Sequence, residues 1–74
     1  MSGPAHRTAW VSVNHERHAL PPDTDLAALL QRLGVPAASV ATAVNGRFVP
    51  REARGDHRLA DGDAVTCFQP IVGG

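Results

Sequence analysis

DTDLAALLQRLG (23–34) is the stretch that decides how the rest of the chain is read. Leu26, Leu29, Leu30 and Leu33 recur at i, i+3, i+4 and i+7, the spacing that lines one face of a helix. Asp23 or Thr24 is placed to cap the free amides at its start, and Asp25 suits the positive end of the helix dipole. Gly34 supplies a left-handed closing residue, and Pro36 forbids continuation. Cutting one of these leucines to alanine should cost roughly 2–5 kcal/mol, a large share of a small domain's stability. One amphipathic helix is therefore expected, and it needs an apolar surface to lie on.

The flanking segments supply that surface. TAWVSVNHERHAL (8–20) alternates, with Val11 and Val13 on one face and Trp10, Ser12 and Asn14 on the other, the period of a half-buried strand. The polar run NHER (14–17) turns it into a second strand ending near Leu20, although Asn-His is a weaker hairpin signal than Asn-Gly. Pro21-Pro22 stops that strand. VATAVNGRFVP (40–50) reads as a strand, an Asn45-Gly46 turn and a short returning strand that Pro50 confines to an edge. REARGDHR (51–58) reads as a polar connection, Leu59 as a single apolar peg, and Asp61-Gly62-Asp63 as a tight turn. AVTCFQPIV (64–72) is the last strand, with Val65 and Cys67 on one face and Thr66 and Phe68 on the other. One helix across a mixed sheet of four or five strands is an α+β architecture, the β-grasp or ubiquitin-like layout.

Composition narrows the function. A chain of 74 residues makes one domain. At that size it buries only about 60–65% of its unfolded surface, which leaves little room for a deep catalytic pocket. Trp10, Phe48 and Phe68 are the only aromatics, too few for a base-stacking platform. Seven arginines balance seven carboxylates, so the basic footprint of a nucleic-acid or anionic-membrane binder is missing. A single cysteine, Cys67, cannot form an internal disulfide and accords with a reducing, cytoplasmic setting. MSGPAHR (1–7) lacks the apolar stretch of a signal peptide and reads as a disordered arm. The folded domain is expected over 8–70, with 71–74 as a flexible tail closing on Gly73-Gly74.

The stretch AVNGRFVPRE…HRLADGDAVTCFQPIVGG resembles the ThiS family, the sulfur carriers of thiamine (thiazole) biosynthesis. The resemblance rests on the order and spacing of Asn45-Gly46, Val49-Pro50-Arg51, Leu59, Asp61-Gly62-Asp63 and Gly73-Gly74. It implies that a partner adenylating enzyme, consuming ATP, joins the carboxylate of Gly74 to AMP. The persulfide of a sulfur donor, such as a cysteine desulfurase or sulfurtransferase, then attacks, and a C-terminal thiocarboxylate results. That sulfur passes to thiazole synthase. The chain itself would be no enzyme, hold no cofactor or metal, and be a monomer when free. Gly73 and Gly74 lack a Cβ and so can enter a narrow channel.

Other readings stay open at this level. Phe68 points outward near the tail, either to anchor a partner or to cover the small core. Pro70, Ile71 and Val72 lie on the same partner-facing approach. Arg51, Arg54 and Arg58 either meet an acidic patch on the adenylating enzyme or form a solvated face. Cys67 is far more often a small buried hydrophobe than a catalytic thiol. His15 and His18, three apart in a hairpin, face opposite ways and lack a completing pair for a metal. The carboxylates of Asp61 and Asp63 are explained by their turn. The small subunit of molybdopterin synthase, a carrier for another sulfur metabolite, and a plain β-grasp interaction module are the alternatives.

Overall fold

The computed structural model describes residues 8–69. Its elements run β1 (Ala9–Val13), β2 (Glu16–Leu20), α1 (Leu26–Leu33), β3 (Ala41–Val44), β4 (Arg47–Val49) and β5 (Ala64–Phe68). Short 3₁₀ turns lie at Ala37–Ser39 and Arg51–Asp56. The strands form one five-stranded sheet in the order β2-β1-β5-β3-β4. Only β1 and β5 pair in parallel; every other neighbour is antiparallel. The expected β-grasp architecture is the observed one, and the last strand among the described residues occupies the middle of the sheet.

A single core lies between α1 and one face of the sheet. Leu26 and Leu29 are fully buried against Val11, Val13, Leu20, Val44, Val49, Leu59 and Val65, and Leu30 is buried as well. Their removal from water is the main favourable term holding the layers together. Leu33 packs at the rim and is only partly buried. Leu59 is held by a strand-like bridge between the chain near α1 and the chain before β5. Its amide donates to the Thr24 carbonyl at 2.9 Å, and the Leu26 amide donates to His57 at 2.9 Å.

The caps of α1 differ from expectation at one end. The N-cap is Asp25, whose Oδ1 accepts from the Ala28 amide at 2.8 Å. Thr24 instead donates its hydroxyl to the Pro21 carbonyl at 2.7 Å, and Asp23 adopts a left-handed φ of 65° outside the helix. Gly34 closes the helix with φ 70°, as its position predicts.

Both hairpins turn on an asparagine in the left-handed region. Asn14 and His15 have φ of 49° and 76°, and Asn45 and Gly46 have 52° and 82°. Two positive φ values in a two-residue loop match the right-handed twist of the strands it joins. The first turn is therefore tighter than its polar run suggests, and Glu16 and Arg17 already belong to β2. The 51–58 connection is also more ordered than expected, because it winds into a 3₁₀ turn that buries Arg54. The expected final strand, 64–72, is paired only to Phe68. Gln69 lies outside the ladder, and 70–74 are outside the described residues. Among the described residues no helix is long and apolar enough to cross a membrane.

Candidate functional site: the end of the central strand

The sheet has a helix-free face, and its occupants follow from register. Trp10 pairs with Ala19, Ser12 with Arg17 and with Ala64, Ala43 with Thr66 and with Phe48, and Ala41 with Phe68. Directly paired residues share a face, as do residues two apart in a strand. All three aromatic side chains of the protein therefore project from the face that α1 does not cover. Trp10 is 44% exposed, Phe48 64% and Phe68 45%. Phe68 is thus directed at solvent and takes no part in the core, which settles its orientation. Between Phe48 and Phe68 lie Ala41 and Ala43, so two rings border a low alanine floor. Trp10 sits at the far end, where the Arg17 guanidinium lies 4.6 Å from its ring centroid.

β3 is antiparallel to both β4 and β5, so those two strands finish at the same end of the sheet. Arg51, exposed just after β4 and Pro50, therefore lies at the end from which residues 69–74 continue. Gly73, Gly74, Pro70, Ile71 and Val72 lie outside the described residues. Arg58 is exposed, 3.9 Å from Asp23. Arg54 departs from the expected solvated face: at 3% exposure it is buried. Its Nε donates to Thr42 Oγ1 at 3.0 Å, Nη1 to the Ala37 carbonyl at 2.9 Å and Nη2 to the Val40 carbonyl at 2.7 Å. A polar run cannot announce this, because the acceptors come from a segment distant in sequence.

On its other flank the end of β5 is held by a side chain. β1 turns away after Val13, and Asn14 replaces the missing strand neighbour. Its Oδ1 accepts from the Cys67 amide at 2.9 Å and its Nδ2 donates to the Cys67 carbonyl at 3.2 Å. An asparagine amide carries the same donor–acceptor pair as a peptide unit and so extends the ladder by one rung. This residue too was missed as a site element, its hairpin role being the visible one.

The remaining candidates resolve plainly. Burial pushes the Cys67 thiol up, only partly offset by the charge of Arg54, which keeps it in the protonated, poorly nucleophilic form. Asp61 Oδ1 accepts from the Trp10 amide at 2.7 Å. Asp63 accepts from the Ala60 amide at 2.8 Å and from Asn45 Nδ2 at 3.0 Å. Both carboxylates are thus spent on closing the turn. His15 lies in the hairpin, and His18 Nε2 stands 3.8 Å from Glu16. Among the described residues no three of His, Cys, Asp or Glu are grouped closely enough to hold a metal ion.

Comparison with known proteins agrees with this arrangement. The family model described as the ThiS family matches residues 9–74. Over 46 residues, 62% of this chain and 70% of the other, the sequence is 44% identical to the sulfur carrier protein ThiS of Escherichia coli (strain K12). A crystal structure of a thiamine biosynthesis protein (ThiS) from Geobacter metallireducens superposes with a TM-score of 0.79 at 29% identity. That alignment covers 88% of this chain and 99% of the other. With the family match spanning residues 9–74 and the fold shared at a TM-score of 0.79, this chain belongs to the ThiS family.

Proposed function

We propose that this chain is a sulfur carrier for thiazole formation in thiamine biosynthesis, with the carboxylate of Gly74 as the atom group that carries sulfur. A free carboxylate is a poor electrophile. Attack of its oxygen on the α-phosphorus of ATP, with loss of pyrophosphate, makes an acyl-adenylate whose AMP is a good leaving group. A persulfide sulfur then adds to the Gly74 carbonyl carbon and expels AMP. Cleavage of the resulting S–S bond by a thiol leaves the thiocarboxylate, whose sulfur is the nucleophile delivered to thiazole synthase. The adenylating enzyme, the ATP and the sulfur donor are all supplied from outside; the chain is a protein co-substrate with no cofactor of its own, monomeric and cytoplasmic.

One observation supports this reading above the rest. The strand that leads to Gly73-Gly74 is central in the sheet and ends beside an exposed aromatic face, so a partner gripping that face meets the tail with it. Phe68 is the aromatic nearest the tail and fits the role of anchor, since exposed aromatics commonly dominate such contacts. Arg51 stands at the same end, placed to meet an acidic patch on the adenylating enzyme. Pro70, Ile71 and Val72 would thread the approach to the enzyme's site. The molybdopterin alternative shares the layout, but the matched family and both relatives are of the thiamine type.

The test is the intact mass of the protein after incubation with ATP, a ThiS-family adenylating enzyme and a sulfide source. The expected result is a gain equal to replacing one oxygen by sulfur, mapped to Gly74 and abolished by deleting Gly73-Gly74. No gain, with an enzyme shown to activate another carrier, overturns the reading.

A further inference from the structure

We propose that Arg54 is a positioning residue for the carrier reaction, a buried brace that fixes how the chain leaves the sheet toward Gly74; this rests on the carrier reading above. Arg54 is 3% exposed, and its partners among the described residues are all neutral. Burying a charge without a counter-charge is costly, and only the hydrogen bonds to Thr42, Ala37 and Val40 offset it here. What the guanidinium adds is direction. Its planar fork makes donors in fixed vectors, which a flexible apolar chain or a lysine cannot imitate.

All three acceptors lie at one place. The Ala37 and Val40 carbonyls belong to the turn that enters β3, and Thr42 is the second residue of β3. Thr42 pairs with Cys67 and Ala41 pairs with Phe68, so the braced segment is the last piece of sheet that β5 pairs with. The Thr42 hydroxyl passes the constraint on, donating to the Val49 carbonyl at the end of β4 at 3.0 Å. From the other flank Asn14 holds Cys67 by two hydrogen bonds. Thr42, whose hydroxyl accepts from Arg54 Nε, pairs directly with Cys67, so the fork is one strand away from this strand end.

The end of β5 is therefore clamped between a buried fork and a side-chain amide, just before the residues that carry the chemistry. A terminus entering a narrow site needs its root at one height and one angle. Misplacing a reacting group by about 1 Å can cost on the order of 100-fold in rate. The Thr42 side chain lies on the helix-covered side of the sheet, away from the side chains of Trp10, Phe48 and Phe68.

The test uses full-length Arg54→Met, Arg54→Lys, Thr42→Val and Thr42→Ser with ATP and the adenylating enzyme. Acyl-adenylate formation is followed against carrier concentration, and amide exchange is read at Phe68. In Arg54→Met, Arg54→Lys and Thr42→Val, kcat is expected to fall by about 10- to 100-fold. KM should stay within about threefold and the Phe68 amide should exchange faster, whereas Thr42→Ser, which keeps the hydroxyl, retains the wild-type rate. Folding at the assay temperature is checked by circular dichroism. If Arg54→Met does not fold, the Thr42→Val and Thr42→Ser pair carries the test. Folded variants with unchanged kcat overturn the proposal, as does a rise in KM alone, which would mean docking, or full rescue by Arg54→Lys, which would mean charge. Failure of the wild-type chain itself to be adenylated, by an enzyme active on another carrier, would remove the carrier reading first and this inference with it.

Discussion

The two ends of β5 are built by the same residue type to different purposes. Asn45 binds the start: its Oδ1 accepts from the Ala64 amide at 2.9 Å, its amide donates to the Ala64 carbonyl at 2.7 Å and its Nδ2 reaches Asp63. Asp63, Asp61 and Gly62 add further bonds to Ala60 and Trp10, so the start is locked into a closed turn. Asn14 binds the finish through the Cys67 backbone, and past Phe68 no ladder continues among the described residues. The entrance is thus tied through several residues of a closed turn and the exit, on its β1 flank, through one side-chain amide, so the two ends differ in how many bonds hold them.

Leu26→Ala should break the comparison altogether. This side chain is fully buried in the core that β5 lies on, and its truncation is expected to cost about 2–5 kcal/mol. Denaturant unfolding should show that loss, with amide protection falling equally along β5.

Asp63→Ala should weaken only the start. Two acceptor contacts vanish, at a cost of about 1–2 kcal/mol. Exchange should quicken at Ala60 and Ala64 while the Cys67 amide keeps its protection.

The mirror experiment is Asn14→Gly, which keeps the left-handed freedom that φ 49° demands and removes the side chain with its amide. The global loss should be about 0.5–1 kcal/mol, with faster exchange confined to Cys67 and its neighbours. If Ala64 loses protection as well, the two ends are one cooperative unit and the contrast fails.

The smallest effect is expected from pH. Because the folded thiol of Cys67 ionises at a higher pH than an ordinary thiol, the unfolded chain gives up its proton first as pH rises. Over that interval the unfolded state binds fewer protons, so stability falls with increasing pH. It should be unaffected on the acid side of the thiol range. Cys67→Ala should flatten the alkaline slope in a thermal-melt series.

Much of this was legible before any coordinates. Four leucines at helical spacing can sit only on one helix, and alternation in 9–13 and 64–68 correctly sends Trp10 and Phe68 to the face away from Val11 and Val65. Adjacent polar residues were harder. Asp23, Thr24 and Asp25 are all good caps by type, and only the local backbone, with Asp23 at φ 65°, decides for Asp25. Arg54 was hidden for a stronger reason. Its neighbours Arg51, Glu52, Asp56 and Arg58 are exposed, so the run has no apolar period to mark one member as buried. What buries Arg54 is a set of oxygens on Ala37, Val40 and Thr42, and three-dimensional acceptors leave no trace in a one-dimensional pattern.

The Asn45-Gly46 hairpin carries a consequence for the lifetime of the molecule. A small residue after asparagine leaves its backbone nitrogen free to attack the side-chain amide, and the asparagine ages into aspartate or isoaspartate; asparagine is a heat-labile residue for this kind of reason. Here the amide is tethered to Asp63 and Ala64, which holds it away from such attack while the turn is intact. Once converted, Asn45 would present an anion where Nδ2 now lies 3.0 Å from the Asp63 carboxylate. Repulsion would then replace a hydrogen bond at the entrance of the central strand, so the damage would fall at the end of β5 away from Phe68.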